Sequence, residues 1–306
     1  MNRHLVHLSL FDGISAGQLA MNRAMRRKIR KYTYYSSEVD PNAIMITNHN
    51  YPNTNQLGDV RFLHKKMFKH AIGLLTAGSP CQDFSLAGKR KGMTTTEDID
   101  VTSLEQYLKL KEEEEFEFEG ESYLFWEFVR LVKELKPKYF LLENVTKLGK
   151  WKDVISEALG VEPIRINSSL MTAQNRDRYY WTNIPNVDVP EDKEKYLSDM
   201  IPGARGCGTR NGLNKETGKW TVPNFTIRKD GKANCLTCGN TGTQRYILPN
   251  GEIYDMSPEE WETLQTFPEG YTNVNDLAKT HRYKAIGNSW TVDVIEHIFK
   301  HIPELM

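Results

Sequence analysis

Cysteine is scarce in this chain. Cys81, Cys207, Cys235 and Cys238 are spread over 306 residues, too few to staple a scaffold of this length with disulfides. Long apolar runs are missing as well. No stretch of about 18 consecutive apolar residues occurs, so no membrane-spanning helix is expected. The opening MNRHLVHLSLFDG runs straight into a strand-like segment without a signal-peptide pattern, and a cytoplasmic location is the expectation. Net charge is absent too, with 40 Lys and Arg against 40 Asp and Glu. The balance is local rather than uniform. Arg23, Arg26, Arg27, Lys28, Arg30 and Lys31 cluster, whereas glutamate dominates residues 111–121. Phosphate contact depends on such patches, so the neutral total does not exclude a nucleic-acid partner.

What is present is the composition of an ordinary globular enzyme, 39% hydrophobic and 26% charged, at a length that buries a full core and carries a smaller second lobe. The first half alternates β-branched apolar runs with helical patterns, the signature of βα units and a doubly wound, mostly parallel sheet. LVHLSLF (Leu5 to Phe11), KYTYYSSE ending at Glu38, AIGLLTAG (Ala71 to Gly78) and KYFLLENV read as strands. PNAIMITNHN reads as a short helix opened by Pro41, and YLFWEFVRLVKEL as an amphipathic helix stopped by Pro137. Residues 88–121 read as an exposed acidic loop with one helix near Thr102 to Lys111. Past Trp181 the chain turns rich in Gly, Asn, Thr and Pro, with short β-like pieces (TVPNFTI, QRYILP). Three regions are therefore expected: a catalytic and cofactor-binding domain at 1–181, a loop-rich recognition lobe at 182–256, and a return to the catalytic domain at 257–306. That return contains the helical SPEEWETLQTF and a Gly-Asn turn leading into an amphipathic helix.

The first strand, then Phe11-Asp12-Gly13-Ile14-Ser15-Ala16-Gly17, then a helix form a nucleotide-binding layout. Small residues let backbone approach a ligand, and the helix start offers unpaired N–H groups. Glu38 ends the next strand, where an acid can accept both hydroxyls of a ribose. Asp59, in Leu57-Gly58-Asp59-Val60, is placed to bond an adenine amino group. An adenosine-containing ligand follows; spacing alone does not choose between a dinucleotide and S-adenosylmethionine.

Gly78-Ser79-Pro80-Cys81-Gln82 sits at the carboxyl end of a parallel strand, where such folds hold their active sites. A thiol there ionises more easily beside a helix start. Glu143-Asn144-Val145 ends the neighbouring strand, so thiol and carboxyl should share one sheet edge, an arrangement suited to nucleophilic attack with proton transfer. Gln174-x-Arg176-x-Arg178 puts two arginines on one side of an extended segment, able to clamp a phosphate or orient a carboxylate.

Taken together these motifs resemble the DNA cytosine-5 methyltransferase family, in the family's order along almost the whole chain. Phe11 to Gly17 resembles its first cofactor motif, Gly78-Ser79-Pro80-Cys81 its Pro-Cys motif, and Glu143-Asn144-Val145 its Glu-Asn-Val. Ser257-Pro258-Glu259 with Gln265-Thr266-Phe267-Pro268 resembles the motif supporting the recognition lobe, and Gly287-Asn288-Ser289 the final motif. SLFDGI, GSPCQD, RDRYYW and IGNSW are similar to the animal de novo enzymes, while the compact length resembles phage or bacterial restriction-modification enzymes.

The resemblance implies S-adenosylmethionine as cofactor, held by Phe11, Asp12, Gly13, Ile14, Glu38, Val39, Asp59, Val60, Gly78, Pro80, Asn288 and Ser289. It implies double-stranded DNA as partner and no metal; no membrane partner is expected, and the oligomeric state is left open, with a monomer the expectation. A flipped cytosine is attacked at carbon 6 by Cys81 while Glu143 holds or protonates N3; carbon 5 then takes the methyl group and loses its proton, expelling the thiolate. Arg178 orients the base or supports Glu143, and Arg176 braces the pocket. Three features depart from the family: Ser15 and Ala16 replace paired glycines, Glu121 stands where many relatives carry arginine, and no arginine is evident beside Tyr254-Asp255-Met256.

Cys235-Leu236-Thr237-Cys238 has the spacing of half a zinc site, with Cys207 a third ligand, but lacks a well-spaced histidine; it resembles instead a Thr-Leu-Thr strand. Gly239, Asn240, Thr241, Gly242 and Thr243, with Lys232 and Arg245, form a candidate DNA-contacting loop. Two other readings stand beside the DNA enzyme. One is an RNA cytosine-5 methyltransferase with the same motifs. The other is an impaired DNA-binding homologue, disfavoured because Cys81 and Glu143 are both kept.

Overall fold

The structure is a computed structural model and describes residues 4–25, 32–81, 84, 92–113, 117–118, 120–210, 224–238 and 245–305. Contacts divide the chain into two compact units. The first comprises Met1–Ile166, Asp177–Val189 and Glu296–Met306, and the second Asn167–Arg176 and Pro190–Ile295.

The first unit is built on β1 (Leu5–Leu10), β2 (Tyr32–Ser37), β3 (Asn55–Gln56), β4 (Leu74–Gly78), β5 (Tyr139–Val145), β6 (Ile164–Asn167) and β7 (Asp177–Thr182). They form one seven-stranded sheet in the order β3-β2-β1-β4-β5-β7-β6. The β1–β2, β2–β3, β1–β4 and β4–β5 pairs are parallel, and β7 runs antiparallel to β5. The doubly wound class expected from the alternating pattern is what forms. Residues 6–10 of β1 and 74–77 of β4 are buried without alternation, as a sheet covered on both faces requires.

Between the strands lie α1 (Ala16–Ala24), α2 (Pro41–Asn50), α3 (Leu104–Glu112), α4 (Phe125–Leu135) and α5 (Trp151–Leu159). Asp40 caps α2 by accepting Asn42 N–H at 2.9 Å, with Pro41 at the first helical position. Helix α4 buries Phe125, Trp126, Phe128, Val129, Leu131 and Leu135, and ends at Lys136 in a left-handed conformation just before Pro137.

The stretch 88–121 differs from the exposed loop expected. Met93, Val101 and Tyr107 are buried in the main core, and Phe118 stacks on Tyr123 with ring centroids 4.1 Å apart. These side chains are too widely spaced along the chain to show a period, yet antiparallel bridges at Thr94–Asp100 and Thr95–Phe118 fold them together. Helix α3 opens on a Ser103–Gln106 capping box. Glu121 is exposed, just ahead of the Ser122–Leu124 turn.

His7, at the heart of β1, is fully buried, with Nε2 2.9 Å from Thr76 Oγ1 and its ring edge-on to Tyr34 and Phe299. Burial lowers its pKa from 6.5 to about 3. Below pH 6.5 the unfolded chain binds a proton at this ring that the folded chain refuses. Stability present above pH 6.5 therefore drains away as the pH falls toward 3. His7→Gln should flatten the fall of Tm with acidification between roughly pH 6 and pH 4. An unchanged slope would show that the acid sensitivity comes from elsewhere.

The second unit holds a four-stranded antiparallel sheet in the order β11-β10-β8-β9, from β8 (Arg205–Arg210), β9 (Asn224–Ile227), β10 (Arg245–Ile247) and β11 (Ile253–Asp255). Its helices are α6 (Leu197–Met200), α7 (Pro258–Leu264) and α8 (Lys279–Asn288), followed by α9 (Val292–Lys300), which from Glu296 onward belongs to the first unit. Ser257-Pro258-Glu259-Glu260 starts α7 with a full capping box, Ser257 N–H to Glu260 Oε2 at 2.7 Å and Glu260 N–H to Ser257 Oγ at 3.2 Å. Arg282 of α8 is buried and reaches Glu259 at 2.7 Å and Glu262 at 3.2 Å. Gly287-Asn288 forms no free-standing turn; both residues close the last turn of α8. Glycine is demanded there by packing, because a Cβ at position 287 would lie 2.7 Å from the carbonyl carbon of Thr237 and 2.9 Å from Cys238 N.

Candidate active site

In the first unit, the loop after β1 is held in an unusual backbone conformation. Phe11, Gly13 and Ser15 have φ of 52°, 58° and 58°. Glycine adopts this region freely, but each of the other two costs about 1–2 kcal/mol. Ser15 is fixed by its own hydroxyl, which lies 2.5 Å from Asp12 Oδ2 and 3.0 Å from Thr47 Oγ1. This is how a serine holds a backbone conformation that favours glycine. Asp12 faces inward, accepting Tyr34 OH at 2.5 Å, and burial raises its carboxyl above the usual range. Ile14 is also fully buried.

Glu38 follows the end of β2. Its Oε2 accepts Gly13 N–H at 2.7 Å, and its Oε1 accepts Val39 and Asp40 N–H at 2.8 Å each. The carboxylate is thus fixed by three backbone donors from two segments, beside a Val39 side chain that is 66% exposed. Asp59 precedes a short turn (Val60–Phe62) and pairs with Arg61, whose Nε stands 2.9 Å from Oδ2. The hydrogen bonds from Arg61 hold its carboxyl below the usual range. Val60 is buried, whereas Phe62 is 73% exposed.

Sequence reasoning missed what supports this loop. Glu127 of α4 is fully buried and accepts Tyr107 OH at 2.5 Å, Lys111 Nζ at 2.6 Å and Arg130 Nε at 2.6 Å. Arg130 donates to Leu63 O at 2.9 Å, and Lys111 Nζ lies 3.4 Å from Arg61 O. The acid-rich insertion therefore supplies a helix that braces residues 60–63. The available signal was an acid inside the apolar stripe of FWEFVRL.

The ends of β4 and β5 carry the thiol and the carboxyl singled out from the sequence. Gly78 is the direct partner of Glu143 in the parallel ladder. One residue on, Asn144 Nδ2 donates to Ser79 Oγ at 3.1 Å, both residues buried. This bond ties the Ser79-Pro80-Cys81 turn to the Glu143-Asn144-Val145 strand end. The Cys81 thiol is half-buried and not in a disulfide. Arg178, opposite Val145 in the antiparallel ladder, places Nε 2.8 Å from Glu143 Oε1. The pair is largely out of solvent, its side chains 14% and 10% exposed. Cys81, Glu143 and Arg178 thus stand together on one sheet edge.

Arg176, two residues away, belongs to the second unit and has different work. Buried, it donates through NH1 to Leu236 O at 3.0 Å and Gly287 O at 3.2 Å, and through NH2 to Ser289 O at 2.9 Å. Gln174 and Gln265 extend the network: Gln174 Nε2 donates to Gln265 Oε1 at 3.1 Å, and Gln265 Nε2 donates to Ser289 O at 3.0 Å. The last motif is thereby tied to the Gln-x-Arg-x-Arg segment, with Ser289 buried and Asn288 exposed. Lys232 is no phosphate contact: it is buried, with Nζ 2.7 Å from Ser169 O and 2.5 Å from Lys195 O. Cys235 takes a 3.7 Å contact from Arg176 NH1, and Cys238 is exposed. Residues 239–243 and the basic residues 26–31 lie outside the described residues, as do the side chains of Cys207 and Arg245.

A mostly parallel seven-stranded sheet in this order is the doubly wound class, which holds its ligand at the carboxyl ends of the strands, where Glu38, Cys81 and Glu143 stand. The chain belongs to the C-5 cytosine-specific DNA methylases, whose family model matches residues 5–186 and 182–304. It is 27% identical to the Type II methyltransferase M.Bsp6I of Bacillus sp. (strain RFL6), over 97% of this chain and 98% of that one. With the Type II methyltransferase M.HpaII of Haemophilus parainfluenzae it shares 26% identity, over 97% and 88%. In fold it is similar to the Entamoeba histolytica methyltransferase EhMeth, with a TM-score of 0.66 and 15% identity over 98% of both chains. The protein is a DNA (cytosine-5) methyltransferase and its cofactor is S-adenosylmethionine.

Proposed function

We propose that the reaction runs through a covalent adduct between Cys81 and a cytosine flipped out of duplex DNA. The Glu143–Arg178 pair beside the Ser79–Asn144 bond carries this reading, because it sets an oriented carboxyl next to the turn that bears the thiol. The Cys81 sulfur bonds to ring carbon 6 while Glu143 holds the proton at N3. Electron density moves to carbon 5, which becomes the nucleophile. Bound S-adenosylmethionine supplies an electrophilic methyl group. Loss of the carbon-5 proton then re-forms the double bond and expels the thiolate. Arg178 fixes the Glu143 carboxyl, and Arg176 is a positioning residue that holds the carbonyls of 236, 287 and 289.

The donor set suits the cofactor. Glu38 Oε2 receives one backbone bond, leaving acceptor capacity for a ribose hydroxyl, and exposed Val39 offers an apolar surface to the nucleoside. Phe11, Gly13, Asp59, Gly78 and Pro80 complete the proposed contacts of the first unit, with Asp12 and Tyr34 shaping the loop from behind. Within the expected lobe at 182–256, the part from Pro190 onward, which belongs to the second unit, acts as the target-recognition lobe. The enzyme works as a cytoplasmic monomer that protects DNA beside a restriction nuclease or in a phage.

Glu38→Ala should weaken S-adenosylmethionine binding about 10- to 100-fold, the worth of one or two charge-assisted hydrogen bonds. Calorimetry returning wild-type affinity would remove Glu38 from the site. Substrate class is tested by trapping: duplex DNA bearing 5-fluorocytosine should form a cofactor-dependent adduct at Cys81. RNA trapped in place of DNA would overturn the duplex reading, and bisulfite sequencing of DNA from expressing cells reads out the target.

A further inference from the structure

At the edge of the first unit opposite Cys81, three side chains outside the methyl-transfer machinery converge. Strand β7 runs antiparallel to β5, from Arg178 opposite Val145 to Thr182 opposite Leu141. The chain therefore leaves β7 where the parallel strands begin, and Asp188 follows six residues later. Asn183 marks the exit by accepting Phe140 N–H at 2.8 Å and donating to Lys138 O at 3.0 Å. His297 in α9 and His301 just past it are one helical turn apart, so their rings project from one face. Both Nε2 atoms point at Asp188 Oδ1, at 3.1 Å from His297 and 3.3 Å from His301. His297 Nε2 also lies 3.0 Å from Asp188 O. The two imidazoles are 19% and 20% exposed.

We propose that Asp188, His297 and His301 form a binding site for a divalent transition metal of the zinc class. The ligand atoms of the three residues lie within 4.8 Å of one another, and among the described residues no other such group occurs. Tetrahedral zinc with ligands at about 2.0–2.1 Å has ligand–ligand edges of about 3.3–3.4 Å. The two nitrogen–oxygen separations are within about 0.3 Å of such an edge and the two imidazole nitrogens lie within 4.8 Å of each other, so rotation of the exposed Asp188 and small ring movements close the set around an ion. Two neutral imidazoles and one carboxylate are the borderline donors that zinc, cobalt and nickel favour over magnesium or calcium. Asp188 O or a water fills the fourth position. The site lies on the far edge from the chemistry, so its role is structural: it pins the end of α9 to the segment leaving β7.

The test is a titration of the full chain with zinc chloride, followed by calorimetry and thermal unfolding. Wild type should bind one equivalent at this site and gain in Tm. Asp188→Asn and His301→Ala, at partly exposed positions, should each lose about tenfold or more in affinity together with the Tm gain. Cobalt chloride should give the visible absorption of a tetrahedral nitrogen–oxygen site without a thiolate charge-transfer band. Unchanged binding in both variants overturns the proposal, as does a thiolate band, which would put the metal on cysteine, or an absence of binding heat in the wild type.

Discussion

Cys81→Ser is expected to reduce methyl transfer by on the order of 10⁴-fold or more, the scale on which loss of an enzyme nucleophile is felt. A thiol forms an appreciable thiolate near neutral pH, whereas a serine hydroxyl at the same place stays protonated and adds poorly to an electron-deficient ring. The substitution deletes no packing of consequence, since the side chain is half-buried and nearly the same size. S-adenosylmethionine affinity should therefore stay at the wild-type value, because Glu38 and Gly13 hold their bond independently of Cys81. The paired measurement is single-turnover transfer of labelled methyl and calorimetric cofactor binding. Turnover within an order of magnitude of wild type would place the nucleophile elsewhere.

Glu143→Gln should lower kcat by about 10²- to 10⁴-fold, the range general acid–base groups supply. The amide keeps an oxygen for Arg178 Nε but cannot deliver a proton to N3. It also leaves the largely buried guanidinium without its counter-charge, so stability should fall by about 1–3 kcal/mol. The two losses separate by experiment. Stability is read from unfolding, and kcat is measured well below the variant's own Tm. A variant with reduced Tm and wild-type kcat would make Glu143 a structural partner of Arg178 and nothing more.

The sheet, its strand ends and the acids beside them were legible because each is written in a local period. Buried parallel strands appear as continuous apolar runs, and their carboxyl ends lie where the runs stop, at Glu38, Gly78 and Glu143. The capping boxes at Ser103 and Ser257 are likewise visible three residues at a time. The insertion was illegible for the opposite reason. Buried Met93, Val101 and Tyr107 and half-buried Phe118 share no period, and their packing depends on bridges between residues far apart in the chain.

The Gln-x-Arg-x-Arg segment divides the two kinds of information most sharply. Residue type and spacing say that two guanidiniums need anionic or carbonyl partners. They do not say that Arg176 binds backbone carbonyls in the second unit while Arg178 binds Glu143 in the first. Local chemistry, set by neighbours within a few positions, specified the strands, the amphipathic helix and the acids at the strand ends. Which distant groups meet them is decided by folding, because a hydrogen bond across 35 residues, as between Arg178 and Glu143, leaves no trace in local composition.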